Sequence, residues 1–240
     1  MNDHKFCFII CTNDELLLSE CLHYINHLMI PDNYEIDLLT ISDAASITQG
    51  YQAAMEASDA KYKIYMHQDV FLLNRHLLAD LLDIFQSDSQ IGLVGLVGYD
   101  TISPNGIMWH APRCGGLYTK KDAATYPALC DYRYSVAQDG YSCVAEVDGF
   151  FMATCQDVPW NTVELDGWDF YDAFQSVEFL QQGYKIAVPL QRHPWALHDD
   201  NQILNLTHYD KYRQRFLEKY EAFLGKHYTE VLRTEAGKEN

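Results

Sequence analysis

Short apolar segments alternate with amphipathic segments over the first 97 residues, and this alternation restricts the possible folds more than any other feature of the chain. The apolar segments are rich in strand-forming residues and lie at 6–11, 34–41, 64–66 and 91–97. The segments between them repeat apolar residues every three or four positions, as amphipathic helices do, and lie at 15–29, 46–57 and 74–85. Such alternation predicts an α/β domain in which helices cover both faces of a mostly parallel sheet.

The second part of the chain is less regular up to residue 147. From Gly98 to about Val144 no helix or strand period is visible, and a long segment of this kind inside a compact domain usually has a function. Strands are predicted over 147–153 and 184–188, with a helix over 168–182 between them. From Tyr209 onward aromatic residues recur at helical spacing, which predicts a C-terminal helical tail packed on the domain. The aromatic stripe consists of Tyr212, Phe216, Tyr220 and Phe223.

Charge and cysteine content argue against several classes of partner and location. A formal net charge of −17 argues against nucleic acid and against an anionic membrane surface as partners, because both require Lys and Arg. The seven cysteines form no Cys-x-x-Cys pair and several lie in apolar runs, so we expect reduced core residues in a cytoplasmic protein. We expect neither a signal peptide nor a transmembrane segment, since no apolar run approaches the ~20 residues that span a bilayer.

The third predicted strand ends in His67-Gln68-Asp69, which carries two metal-competent side chains. Positions i and i+2 of an extended backbone point the same way, so His67 and Asp69 can face one point at the strand end. Ligands of open α/β sheets bind at the carboxyl ends of strands. An acid at the end of an apolar strand is costly unless it is used, which favours a functional role for Asp69. An imidazole ligand favours Mn²⁺ over Mg²⁺ as the divalent metal.

Six segments, in order along the chain, carry a resemblance to a known family. They include Cys11-Thr-Asn13, His67-Gln-Asp-Val70, Val147-Asp-Gly149 and Trp168-Asp-Phe-Tyr-Asp172, and they lie at 11–13, 46–55, 63–70, 147–153, 167–172 and 182–186. Together they resemble the GT-A fold nucleotide-sugar glycosyltransferases of the large family 2 group. The closer likeness is to its bacterial branch, in which a His-Gln-Asp-Val motif replaces Asp-x-Asp.

The resemblance implies a single GT-A (Rossmann-like) domain over 1–240 that acts as a hexosyltransferase-type enzyme. Residues 1–97 would form the nucleotide-binding half, 98–208 the acceptor and catalytic half, and 209–240 the helical tail. The implied reaction moves a sugar from a nucleoside diphosphate, with UDP favoured, to an acceptor hydroxyl with inversion. The donor sugar and the hydroxyl-bearing acceptor, a glycan or another molecule, are the implied partners.

The resemblance also implies roles for individual residues at the metal and the reacting groups. Asp69 matches the second Asp of Asp-x-Asp, and His67 stands at the first. The third metal ligand is a late histidine, for which we favour His198 over His193. Asp172 matches the general base, and Asp169 is the rival on the same helical face. Acids in the first turn of a helix are also stabilised by its dipole without any catalytic role.

Further residues are expected to contact the two substrates. Asp148 matches a position near the donor sugar and the acceptor, although an Asp-Gly pair is also a common turn signal. The candidates for donor binding are Thr12, Asn13, Asp43, Gln49, Gln52 and Gln68, and several of these can instead cap a helix or form a turn. Trp109, His110 and Trp168 are expected to form an aromatic platform for the acceptor, although a Trp is more often a core residue.

Two other functions remain open at the level of sequence. A non-catalytic glycan- or nucleotide-binding relative is suggested by the altered metal motif. A metal-dependent hydrolase or nucleotidyltransferase could use the same His and Asp ligands. The chain has neither a Gly-rich phosphate loop nor a His-Glu-x-x-His helix, which weakens the second alternative.

Overall fold

The computed structural model describes residues 1–119, 140–199 and 206–236, with side chains up to residue 232. Its strands are β1 (Asn2–Cys11), β2 (Glu35–Ile41), β3 (Ala60–His67), β4 (Val70–Leu72), β5 (Ile91–Gly95), β6 (Val97–Tyr99), β7 (Arg113–Gly115), β8 (Tyr118–Thr119), β9 (Tyr141–Val144), β10 (Glu146–Val147), β11 (Phe151–Thr154), β12 (Lys185–Pro189) and β13 (Ala196–His198). The helices of the described ranges are α1 (Glu15–Ile25), α2 (Ile47–Ala57), α3 (Leu77–Ser87), α4 (Tyr171–Gln181), α5 (Tyr209–Lys219) and α6 (Tyr228–Ala236), with short 3₁₀ turns at Met108–His110 and Glu221–Phe223.

A seven-stranded sheet forms the centre of the molecule, in the order β2-β1-β3-β11-β5-β12-β9. The pairings of β1 with β2 and β3, and of β12 with β5, are parallel, whereas β9 and β11 run antiparallel to their neighbours. Five of the seven strands therefore point the same way, and the predicted mostly parallel sheet is confirmed. Two smaller sheets, β10-β6-β7 and β4-β13-β8, lie beside it.

Both faces of the sheet are buried at its inner strands, such as β1 and β5. Residues 6–11 of β1 and all five residues of β5 are buried, and successive side chains of a strand point to opposite faces. Helix α2 packs on β1 and β2, α3 on β5, and α4 on β5, β10 and β12. Uninterrupted apolar strands are what a sheet covered on both faces requires, which explains why these runs do not alternate with polar residues.

Side-chain caps define where the first two helices begin. The Asp14 carboxylate accepts hydrogen bonds from the backbone N–H groups of Leu16 and Leu17, and Ser46 accepts one from Gln49. The segment predicted as a helix from residue 74 becomes helical only at Leu77, where α3 begins, and the Asn74 side chain accepts a hydrogen bond from the N–H of His76. Helix α1 ends at Ile25, not at residue 29, because the chain then tightens into turns with shorter-range bonds such as Leu28 N to Ile25 O.

Two predicted strands are each divided between two sheets. The run 91–97 divides at Leu96, whose carbonyl accepts from Gly116 N and from Gln191 Nε2, so β5 joins the central sheet and β6 a small one. The run 147–153 divides at a turn after Val147, so β10 pairs with β6 while β11 pairs with β3 and β5. The prediction of irregular structure from 98 to 144 is wrong for the residues that form β6, β7, β8 and β9. Residues 120–139 of this segment lie outside the described residues.

The C-terminal tail packs on the domain as predicted. Tyr212, Phe216, Tyr220 and Phe223 are buried, and Phe216 lies against Phe170 and Phe174 at ring distances of 5.8 and 5.5 Å. None of the six cysteines in the described ranges forms a disulfide, as predicted, and Cys130 lies outside those ranges. Across the described ranges, every helix is too short or too polar to cross a bilayer.

Candidate active site

Three potential metal ligands meet where β3 ends. His67 is the last residue of β3, and Asp69 follows in the two-residue turn into β4. Strand β13 pairs antiparallel with β4, which sets His198 opposite Val70, while Asp199 N donates to Asp69 O at 2.8 Å. Residues 131 positions apart are therefore brought together by backbone pairing.

The ligand atoms of this group, His67, Asp69 and His198, all lie within 4.8 Å of one another. His198 Nε2 lies 3.3 Å from Asp69 Oδ1 and 3.4 Å from His67 Nδ1, and the distance from His67 Nδ1 to Asp69 Oδ1 is 3.9 Å. Asp69 Oδ1 is buried without a hydrogen bond of good geometry. A buried carboxylate oxygen in this state is costly unless it is compensated, and a cation would compensate it.

The protonation states of His67 and Asp69 are compatible with binding a metal ion. Burial and the neighbouring His198 lower the pKa of His67 to about 4, so its imidazole is neutral and has a lone pair to donate at physiological pH. Burial opposes ionisation of Asp69, but the contact with His198 outweighs it and lowers the pKa of this carboxyl. Two imidazole nitrogens and one carboxylate oxygen form a donor set that suits Mn²⁺ better than Mg²⁺. The residues present therefore fit a divalent ion.

Tyr171 fixes the orientation of the His67 ring. Its hydroxyl is hydrogen-bonded to His67 Nε2, so Nδ1 is the ring atom that faces Asp69 and His198. The Tyr171 hydroxyl occupies the space where a side chain at position 149 would begin, since a Cβ built on Gly149 would lie 2.2 Å from it. Glycine at 149 is thus required for Tyr171 to reach His67.

A cavity of about 410 Å³ opens beside the three ligands at the carboxyl ends of β1, β2 and β3. It is lined by Thr12, Asn13, Ser42, Tyr51, Gln68 and Trp168 together with His67 and Asp69, among others. The described residues that line it include no Lys or Arg. An anionic ligand in this cavity would therefore depend on a bound cation or on backbone N–H groups for its compensation.

Gln68 ties the rim of this cavity to the strand end. Its Oε1 accepts from Thr12 Oγ1 at 2.7 Å and from the backbone N–H groups of Asn13 and Asp14 at 3.0 Å each. Its Nε2 donates to Asn13 Oδ1 at 2.6 Å. Three of the predicted donor-binding residues, Thr12, Asn13 and Gln68, thus come together, and their side chains are bonded to one another.

The other predicted donor and metal residues lie apart from this group. Asp43 is exposed between the lining residues Ser42 and Ala44, and Gln49 is exposed on α2. Gln52 accepts from Trp160 N at 2.8 Å and donates to Glu56, so it holds a neighbouring loop. His193 is exposed and is not part of the ligand group, which leaves His198 as the late histidine at the site.

A second cavity of about 230 Å³ adjoins the first and shares His67 and Trp168 with it. Three carboxylates, those of Asp148, Asp169 and Asp172, line it. Trp109, predicted with Trp168 and His110 as an aromatic platform, also lines it and lies 5.4 Å from the Tyr209 ring. His110 is exposed and accepts a hydrogen bond from Asn105, outside the lining.

Asp172 lies in the first turn of α4 and is held by two backbone donors. Its Oδ2 accepts from Gly149 N at 2.9 Å and its Oδ1 from Ala173 N at 2.8 Å. Burial, helped by the charge of Asp148, nevertheless raises the pKa of Asp172 to about 7. A carboxylate with this pKa is suited to general-base catalysis near neutral pH.

The backbone just before Asp172 is strained. Phe170 has a φ of 64°, in the left-handed region that a bulky residue seldom adopts. This conformation directs the chain into α4 so that Tyr171 and Asp172 face the site, while the Phe170 ring packs on Tyr209 at 4.6 Å. Strained residues of this kind cluster at functional sites.

Tyr171, Gly149 and Phe170 were not predicted from the sequence as site residues. The Asp-Gly pair at 148–149 reads as a turn, and Tyr171 and Phe170 read as apolar residues at a helix start. The position of Tyr171 next to Asp172 in the sequence could have marked it as a site residue. The contact between Tyr171 and His67, however, depends on how α4 packs against the end of β3.

Solved structures show which fold the chain shares. The mannosyltransferase PcManGT from Pyrobaculum calidifontis, in complex with GDP-Man and Mn²⁺, superposes with a TM-score of 0.56 at 13% identity, over 98% of this chain and 70% of that one. TarS 1-349 from S. aureus in complex with UDP-GlcNAc gives 0.56 at 8% identity, over 97% and 71%. A longer TarS structure gives 0.51 at 11%, and this chain spans 44% of its length. The fold is that of the GT-A glycosyltransferases.

The sequence places the chain within a family. Residues 7–220 match the profile of a family described as glycosyltransferase like. The chain therefore belongs to this glycosyltransferase-like family. Among curated proteins no sequence matches it.

Proposed function

We propose that this protein is a metal-dependent inverting glycosyltransferase that moves a sugar from a nucleoside diphosphate, preferably UDP, to an acceptor hydroxyl. The observation that carries the proposal is the position of the ligand group. Of the three grouped ligands, His67 lines both cavities and Asp69 lines the first, and a base-like carboxylate, Asp172, lines the second. Fold neighbours that bind UDP-GlcNAc or GDP-Man support a nucleotide sugar as the donor.

The first cavity is assigned to the donor. It lies at the carboxyl ends of parallel strands, where nucleotides bind in open α/β sheets. A diphosphate there meets no Lys or Arg among the described lining residues, so its charge must be compensated in another way. A divalent ion held by His67, Asp69 and His198 would supply that compensation and stabilise the diphosphate as it leaves.

The second cavity is assigned to the acceptor, with Asp172 as the general base. Asp172 takes the proton of the acceptor hydroxyl as the oxygen attacks the anomeric carbon, and the bond from that carbon to the diphosphate breaks. The two cavities share His67 and Trp168, so an acceptor in the second would lie next to a donor in the first, as a direct displacement requires. A single displacement of this kind inverts the anomeric configuration. Asp148, whose charge raises the pKa of Asp172, makes it a stronger base.

The proposal is tested by donor turnover with purified protein. UDP- and GDP-sugars are incubated with Mn²⁺, with and without saccharide acceptors, and the release of nucleoside diphosphate and the anomeric configuration of the product are measured. We expect Asp69→Ala and Asp172→Asn each to lose at least ~100-fold in rate. Asp83→Asn, an exposed acid on α3, is the matched control.

Three outcomes would contradict the proposal. If no nucleotide sugar turns over but nucleotides still bind, the protein is instead a binding relative of the same fold. Retention of configuration in the product would exclude the single displacement. Hydrolysis alone, with no transfer to any added acceptor, would favour the hydrolase alternative.

A further inference from the structure

The cavity assigned to the acceptor is lined by both acidic and aromatic side chains. The carboxylates of Asp148, Asp169 and Asp172 all line it, and its described lining includes no Lys or Arg. Two basic residues of the described ranges interact with this lining: His208, which is exposed, with Asp169, and Arg213 with Tyr209. Arg213 is already bonded to Asn105 O at 2.7 Å and paired with Asp210 at 3.5 Å.

Asp169 differs from the other two carboxylates because no residue of the described ranges donates a hydrogen bond to its side chain. Asp148 accepts from Phe150 N at 3.2 Å, and both oxygens of Asp172 accept from backbone N–H groups. The side chain of Asp169 is half-buried, yet across the described ranges it makes neither a hydrogen bond nor an ion pair. Burial raises the pKa of this carboxyl, as expected for an acid that lacks compensation. A half-buried carboxylate loses hydrogen bonds to water, and a ligand in the cavity replaces them when it supplies hydroxyl or amine donors.

Two tryptophans give the same cavity an apolar surface. Trp109 and Trp168 both line it and are 48% and 54% exposed, which is unusual for side chains of this size. An aromatic ring packs well against the C–H face of a sugar, while the hydroxyls at the sugar edge reach polar groups. The cavity thus offers a sugar both aromatic rings for stacking and carboxylates that accept hydrogen bonds.

We propose that the acceptor is a saccharide without anionic groups, either neutral or amine-bearing, and that Asp169 recognises its hydroxyl or amino groups. This inference rests on the proposed transfer reaction and specifies its second substrate. A phosphate or carboxylate on the acceptor would face three carboxylates with no described cation in the lining. Juxtaposed like charges reject a ligand even where its shape fits. Asp169 acts here as a specificity-determining residue, and Asp172 remains the base.

The class of acceptor is tested with matched sugars that differ only in charge. Methyl glycosides of glucose, galactose, mannose and N-acetylglucosamine, their 6-phosphates and the 2-amino sugars are added to the full chain with Mn²⁺ and UDP. Binding is measured by saturation-transfer NMR. We expect at least one neutral or amino sugar to bind, and its 6-phosphate to bind at least ~10-fold more weakly. A 6-phosphate that binds as tightly as its neutral parent overturns the proposal, and so does the absence of binding by every sugar.

The role of Asp169 is tested by Asp169→Asn, which keeps the shape and removes the charge. With a nucleotide-sugar donor and the best neutral sugar, we expect the acceptor KM to rise about tenfold with kcat nearly unchanged. The ratio of kcat/KM for the neutral sugar to that for its 6-phosphate should become smaller. Asp83→Asn should change neither the acceptor KM nor kcat. A collapse of kcat with an unchanged KM would make Asp169 the base and overturn this assignment. Transfer to any added sugar separates the two proposals. Transfer to a 6-phosphate as readily as to its neutral parent contradicts only the class of acceptor, whereas the absence of transfer to every sugar contradicts the transfer reaction.

Discussion

The Tyr171 hydroxyl contacts one nitrogen of His67 while the other nitrogen faces Asp69 and His198. When Nδ1 gives its lone pair to a metal ion, Nε2 carries the proton and donates it to the Tyr171 oxygen. Partners of this kind hold the ring and its tautomer, and their loss typically weakens metal binding 10- to 100-fold. We therefore expect Tyr171→Phe to weaken Mn²⁺ binding by at least ~10-fold, measured by electron paramagnetic resonance titration.

Tyr220→Phe is the matched control for this prediction. The Tyr220 hydroxyl is also buried and bonded, but it donates to Glu178, away from the ligand group. Its loss should lower stability without changing Mn²⁺ affinity. Equal Mn²⁺ affinities in Tyr171→Phe and the wild type would show that the tyrosine has no part in orienting His67.

Asp148 controls the charge state of Asp172, and this makes a pH-dependent prediction. The pKa of Asp172 is about 7, raised first by burial and then by the charge of Asp148. Because the base must be ionised to accept a proton, kcat/KM should fall as the pH drops below about 7. Asp148→Asn removes a neighbouring negative charge, which favours ionisation, so the acidic limb should move down by about one pH unit. If the acidic limb of the pH profile of kcat/KM stays in place or moves to higher pH, a group other than Asp172 controls it.

At the scale of elements, the loop between β1 and α1 is held by Gln68. This residue lies between His67 and Asp69, the two proposed metal ligands at the end of β3. Gln68 accepts three hydrogen bonds from residues 12–14 and donates a fourth. Gln68→Met keeps the length of the side chain and removes all four, each of which contributes about 1 kcal/mol. We expect faster hydrogen exchange at the Asn13 and Asp14 amides and a higher KM for the donor. Mn²⁺ affinity should change little, because no ligand atom is altered.

Gln175→Met provides the comparison for Gln68. Gln175 is buried and donates to Val158 O at 2.7 Å, so its substitution loosens a different loop. Exchange at Asn13 and Asp14 should then match the wild type. Unchanged exchange in Gln68→Met would show that the loop is held by its own backbone and not by this clamp.

The elements also show how far the sequence predicts this structure. The strands β1, β2 and β3 and the helices between them follow from periodicity and caps, because their contacts are local or between neighbouring segments. His67 and Asp69 were predicted as neighbours from strand geometry alone. His198 joined them only by resemblance, because the pairing of β13 with β4 that brings it there is non-local. The division of 91–97 and 147–153 between two sheets depends on partners such as Gln191 that lie far along the chain.

At the scale of the whole molecule, the charge of the protein leads us to expect that the proposed donor binding and the proposed metal binding depend on each other. The chain carries a formal net charge of −17, and the donor cavity has no Lys or Arg among its described lining residues. A nucleoside diphosphate adds further negative charge beside Asp69. The free energy of binding it therefore depends on a cation that is bound at the same time.

This coupling predicts how ligands change thermal stability. A ligand that binds only the folded state at ~100 times its Kd stabilises it by about 2.7 kcal/mol, or about 5–10 °C for a chain of this size. We expect Mn²⁺ to raise the Tm, UDP alone to leave it almost unchanged, and the two together to exceed the sum of their separate effects. Asp69→Ala should abolish both the Mn²⁺ shift and the gain with UDP, whereas Asp83→Asn should keep them. A full UDP shift in the presence of a chelator would mean that protein groups alone compensate the diphosphate, and the metal would then have no role in holding the donor.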